Sequence, residues 1–117
     1  MKICFDIDDT LWKIRRLTPL CTKECVVDEY CQIHTPKLDQ VPDYDLIQVL
    51  RWFFNNGDEI FFWSAGGIDY CETIVRKLGL DEYGKVVDKG SFRPDIAFDD
   101  AETDLGIVDI RVNRIAP

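Results

Sequence analysis

The chain is short of positive charge: 14 Lys and Arg stand against 22 Asp and Glu, a formal net charge of −8 over 117 residues. A broad electrostatic footprint for nucleic acid is therefore not expected. Long hydrophobic runs are missing as well. Nothing approaches the ~18 consecutive apolar residues of a membrane span. Asp6, Asp8 and Asp9 interrupt the first apolar run where the h-region of a signal peptide would sit. Internal repeats and low-complexity tracts are absent. The five cysteines are an odd number without a secretory context, which reads as reduced thiols in a cytoplasmic protein.

What is present is the composition of one globular domain, residues 1–117, with 46% apolar and 31% charged residues. "KICF" at 2–5 reads as a short strand that stops at the aspartates. Over 43–55 the period turns helical, with Leu46, Ile47, Val49, Leu50, Phe53 and Phe54 on one broad face. Asp43 is placed to cap that helix and Asn56-Gly57 to end it. "EIFFW" at 59–63 suits a strand buried on both faces, broken at 64–67. A second helix is expected over 69–78, with Gly79 after it. Short strands follow at Val86-Val87 and 95–98, and an edge strand at 107–112. Residues 12–41 carry Lys13, Arg15 and Arg16, then a Cys-rich stretch punctuated by prolines, and are expected to form a small flap inserted after the first strand.

Strands alternating with helices imply a mainly parallel α/β sheet, whose ligands collect beyond the carboxyl ends of the strands. The polar clusters fall at such ends: Asp6/Asp8, Ser64 and Asp99/Asp100. Carboxylates gathered on one rim repel unless a cation sits among them. Mg²⁺ suits such a site, with Asp6 and Asp99 as ligands and the Asp8 carbonyl or water completing the shell. Asp6 can then attack phosphorus, and Asp8 can protonate the leaving oxygen and later activate water. The turn at Ser64, Ala65 and Gly66 offers a hydroxyl and backbone N–H groups to the phosphoryl oxygens. Lys89 is the best-placed cation to neutralise the remaining charge.

Taken in order, "FDIDDTL", "IFFWSAGG", Lys89 and "IAFDD" resemble the four motifs of the haloacid dehalogenase superfamily of phosphatases. That resemblance implies a three-layer Rossmann-like core and a Mg²⁺-dependent phosphohydrolase acting through an aspartyl-phosphate on a phosphorylated small molecule. It implies Asp6 as nucleophile, Asp8 as acid/base, Ser64 as phosphate anchor, Lys89 as charge neutraliser, and Asp99 with Asp100 as the metal-side carboxylates. Many members carry Lys-Pro near the acidic motif; this chain has Arg93-Pro94, which leaves Arg93 and Lys85 as candidates to share the role of Lys89. The insertion is too small for the helical cap of many relatives, so an open site is expected.

Other readings compete. An EF-hand loop starting at Asp6 fails, because Leu11 and Leu17 stand where glycine and glutamate are needed. Cys21, Cys25, Cys31 and His34 offer four soft ligands for zinc at a spacing that matches no established pattern. Cys4 and Cys71 read as core packing. Trp12 is either a lining of the site entrance or a buried anchor. Lys13, Arg15 and Arg16 are candidates to meet a second anionic group. A receiver-like phosphoacceptor and a low-turnover binding protein working through the Cys-rich insertion remain the alternatives to an enzyme.

Overall fold

The computed structural model describes residues 1–16 and 38–114 of the chain. Five parallel strands form the sheet: β1 (Lys2–Asp6), β4 (Glu59–Trp63), β5 (Gly84–Val86), β6 (Ile96–Asp99) and β7 (Val108–Arg111). Their order across the sheet is β5-β4-β1-β6-β7. The chain therefore runs outward from β1 on one side, then crosses back to its other side. That reversal opens a crevice at the carboxyl end of β1. Asp6 is the last residue of β1, in register with Trp63 of β4, so Ser64 follows immediately beside it.

Among the described residues two helices connect the strands, α1 (Tyr44–Asn55) and α2 (Ile68–Lys77). Asp43 caps α1, its carboxylate accepting from the Leu46 N–H at 3.0 Å, and Gly57 leaves the helix at φ 85°. Leu46, Ile47 and Leu50 of α1, with Cys71, Ile74 and Val75 of α2, pack on Ile3, Phe5, Ile60, Phe62 and Phe98 of the sheet. Full burial of one such side chain is worth about 1.5–3 kcal/mol. Phe5 and Phe98 stack with centroids 4.7 Å apart, which ties β1 to β6.

The expected third layer is not found among the described residues. Both helices lie on the same sheet face, as consecutive right-handed crossovers in one direction require. Cys4, Trp63 and Ala97 point to the opposite face, where Phe61, Val87, Phe92 and Leu105 cover them. Among the described residues that face carries loop side chains and no helix, because the connections 87–95 and 100–107 are too short and irregular to supply one. The fold is α/β with a parallel sheet, and among the described residues its helices form one layer.

The start and end of the insertion form an antiparallel ribbon, β2 (Trp12–Arg16) against β3 (Leu38–Pro42). The zinc candidates Cys21, Cys25, Cys31 and His34 lie outside the described residues. Trp12 is a buried anchor in the main core. Cys4 and Cys71 are buried free thiols, each pushed up to about 12 by desolvation, consistent with packing roles.

Candidate active site

Asp9 turns the chain sharply after β1. It sits at φ 58°, a left-handed conformation that aspartate tolerates better than most residues, and its carboxylate accepts from the Ile14 N–H at 3.2 Å. This turn brings Thr10 back under the strand end, where its hydroxyl donates to Asp6 Oδ2 at 3.2 Å and lies 3.5 Å from Asp100 Oδ1. Asp6, Asp99 and Asp100 converge from the ends of β1 and β6. Each offers an oxygen within 4.8 Å of the others, and all three are buried.

Lys89, three residues beyond the end of β5, reaches into this group. Its Nζ lies 3.2 Å from Asp6 Oδ1 and 2.7 Å from Asp99 Oδ2. The second contact is a close ion pair, and a carboxylate oxygen has two lone pairs, so Asp99 Oδ2 keeps part of its acceptor capacity. The other Asp99 oxygen accepts from the Ala101 N–H at 3.0 Å. Asp100 is held from outside by Arg114, whose Nε donates to Oδ2 at 2.7 Å. The segment after β7 carries Arg114 there, fastened by the Val112 N–H to the Asp99 carbonyl at 2.7 Å.

The electrostatics follow from this packing. Burial, with Asp99 beside it, raises the Asp6 carboxyl to about 7 even though Lys89 pulls the other way. For Asp100 burial is the largest single influence and raises it, but hydrogen bonds from Arg114 and Asp6 with the Arg114 charge together prevail and hold it below the ordinary carboxylate range. For Lys89, burial lowers and the two acids raise, and the acids prevail. Two cations, Lys89 among the acids and Arg114 from outside, serve three buried carboxyls, which leaves the cluster short of one positive charge.

Asp8 stands apart from this group. Its carboxylate accepts from the Tyr70 hydroxyl, and its side chain does not join the Asp6, Asp99 and Asp100 cluster. Burial, then the bond to Asp8, keeps the Tyr70 phenol above its usual range, so it remains an O–H donor. Ser64 is buried at the end of β4, and its Oγ accepts from the Gly66 N–H at 3.0 Å. This corrects the expectation that the Gly66 amide is free for a phosphoryl oxygen: the turn closes on its own serine, and the Gly67 N–H is taken by the Ser64 carbonyl. The Ser64 hydroxyl proton stays available to donate.

No family model, curated protein or solved structure matches the chain. The site therefore rests on its own geometry. Asp6, Lys89, Asp99 and Asp100 are brought together as the sequence led one to expect. Arg93 is not in the group: it pairs with Asp104 at 2.8 Å on the surface. Lys85 lies within β5, beside a surface pocket shared with Asp58 and Glu59. Lys13 is corrected too. It is buried, bonded to the Asp9 carbonyl at 3.0 Å and to the Asn113 carbonyl, and 3.5 Å from Asp43, so it braces the loops rather than awaiting an anion. Tyr70 and Arg114 were not singled out from sequence, since a lone tyrosine on a helix and a lone arginine near the last strand carry no local pattern.

Hard oxygen ligands, mutual proximity, a charge deficit and an under-used Asp99 oxygen are the properties a small divalent cation needs. Asp6, Asp99 and Asp100 are the residues that can hold one. Among the described residues no helix is long and apolar enough to cross a membrane.

Proposed function

We propose that this chain is a Mg²⁺-dependent phosphohydrolase of the haloacid dehalogenase type, acting on a phosphorylated small molecule through an aspartyl-phosphate on Asp6. The observation that carries the reading is the buried convergence of Asp6, Asp99 and Asp100 around a single lysine. Bound Mg²⁺ would supply the positive charge that lets a phosphate approach these acids.

The side chains divide the work. An Asp6 oxygen attacks phosphorus, the ester P–O bond breaks, and the departing oxygen takes a proton from Asp8. In the second half Asp8 removes a proton from water, the water oxygen attacks phosphorus, and the bond to Asp6 breaks to release phosphate. Ser64 donates its hydroxyl to a phosphoryl oxygen, and Lys89 balances the equatorial charge. Thr10 and Arg114 fix Asp6 and Asp100, and Tyr70 fixes the rotamer of Asp8.

The test is hydrolysis of an aryl phosphate in the presence of Mg²⁺. Turnover is expected to vanish with chelator and return when Mg²⁺ is restored. Steady turnover that survives exhaustive chelation would remove the metal from the reading, and no turnover on aryl, sugar and nucleoside phosphates would remove the enzyme.

Replacing Tyr70 by Phe deletes the hydroxyl that holds Asp8. A positioned acid/base contributes about 10²–10⁴-fold, and losing its orientation is expected to lower kcat about 10-fold with little change in KM. Gly66→Ala should disturb the same contact and the Ser64 hydroxyl with it, because a Cβ there would sit 2.9 Å from the Tyr70 ring and 3.3 Å from Ser64 Oγ. Equal kinetics for both variants and the wild type would show that Asp8 needs no such support.

A further inference from the structure

β7 ends the sheet, and among the described residues no strand pairs with its outer edge. Val108 and Ile110 stay 50% and 39% exposed. The Val108 N–H donates to the Asp95 carbonyl and the Val112 N–H to the Asp99 carbonyl, so the even-numbered residues turn their backbone groups toward β6. By the alternation of a strand, the N–H and C=O groups of Asp109 and Arg111 point outward. Side chains alternate as well. Val108 and Ile110 are in register with Ile96 and Phe98 on the helical face, Asp109 and Arg111 with Ala97 and Asp99 on the other.

We propose that this edge pairs with the same edge of a second copy, antiparallel and centred on Ile110, joining two five-stranded sheets into one. The register follows from hydrogen bonding and charge together. An antiparallel pair must set outward-facing residues opposite each other, which leaves centres at 109, 110 or 111. Centring on 109 sets Asp109 against the partner's Asp109, and centring on 111 sets Arg111 against the partner's Arg111. Like charges directly opposite are unfavourable. Centring on 110 sets Asp109 against the partner's Arg111 twice over, and Ile110 against the partner's Ile110 in the pair where side chains approach most closely. Val108 then meets the partner's Val112. Asp109 is already fixed for this, since its Oδ1 accepts from Leu105 and Gly106 at 2.9 and 3.0 Å. The contact is two-fold and closes on itself.

Four residues a side make a small interface, so association at about 10⁻⁵–10⁻⁴ M is expected. Light scattering of the wild-type chain up to about 1 mM should show the mass rising from one chain toward two, a range in which so weak a pairing fills. Ile110→Lys opposes two ammonium groups, and Arg111→Asp sets acid against Asp109. Each is expected to remain at single-chain mass with an unchanged far-UV spectrum. Should either variant unfold, amide exchange of the wild type decides: the Asp109 and Arg111 N–H groups should slow as concentration rises. A single-chain mass at about 1 mM overturns the proposal. So does a dimer untouched by both substitutions, and so does protection of those two amides that is independent of concentration, which would mean that the chain's own segments cover the edge.

Discussion

Asp6→Asn is expected to lower aryl phosphate hydrolysis by about 10⁴-fold or more, the scale on which deletion of a nucleophile acts, while the protein stays folded. The side chain keeps its shape: its one oxygen can still accept from Lys89, and the NH2 that replaces the other oxygen can donate to the Thr10 hydroxyl. What is lost is a carboxylate able to form and release a bond to phosphorus. Stability should not fall. The Asp6 carboxyl is raised to about 7 because desolvation, with Asp99 adjacent, disfavours its charge, and a neutral amide removes that cost. Lys89 then keeps its ion pair with Asp99, at 2.7 Å. The informative result is this separation of activity from stability. If the variant hydrolysed at the wild-type rate, Asp6 would not be the nucleophile; if it unfolded, the acid would be structural. A receiver-like protein would behave differently again, holding phosphate from a small donor with no repeated turnover, in the wild type itself.

The central strands β1, β4 and β6 were legible because each is buried on both faces, and that condition writes an uninterrupted apolar run such as Ile60 to Trp63. The positions of Asp6, Ser64 and Asp99 followed from the strand ends. The parallel crossovers then did the gathering. Other features depend on partners distant in sequence and left no local trace. Lys13 reads as a solvated basic residue, yet Asp9, Asp43 and Asn113 enclose it. Tyr70 meets Asp8 across 62 positions. The ribbon of β2 and β3 was missed because Trp12–Arg16 alternates apolar with basic residues, a pattern that charge made look like surface loop. The single helical layer of the described residues had a signal that went unread: 87–95 and 100–107 lack helical periodicity altogether. Interior strands report their burial directly; a polar network reports nothing until the backbone has closed it.

The acid cluster also fixes how stability should change with pH and with Mg²⁺. Asp6 has a folded-state value raised to about 7 from an ordinary 3.8. The native state therefore binds a proton that the unfolded chain has released, and the stability this confers is complete below about pH 4 and lost as pH rises toward 7. The slope for one group is about 1.4 kcal/mol per pH unit, so the loss has an upper bound on the order of 4 kcal/mol. Asp100 has the opposite sign but another window: its depressed value confers stability that is lost only on acidification below the ordinary carboxylate range. Lys89, raised above 10.5, matters only in alkali. Between pH 4 and 7 the Asp6 effect should dominate, and chelator-treated protein should melt at lower temperature as pH rises across that interval. Mg²⁺ should reverse the trend. A cation competes with the proton for Asp6, so its stabilising effect must grow with pH, reaching about 2.7 kcal/mol at a hundredfold excess over its Kd. Asp6→Asn should flatten the metal-free slope, and Asp99→Asn should weaken the response to Mg²⁺. Thermal melts from pH 4.5 to 7.5, with and without Mg²⁺, read all of this without any substrate. If Mg²⁺ left the melting temperature unchanged at pH 7.5, where these acids are most ionised, the carboxylates would be held by Lys89 and Arg114 alone and would bind no divalent ion.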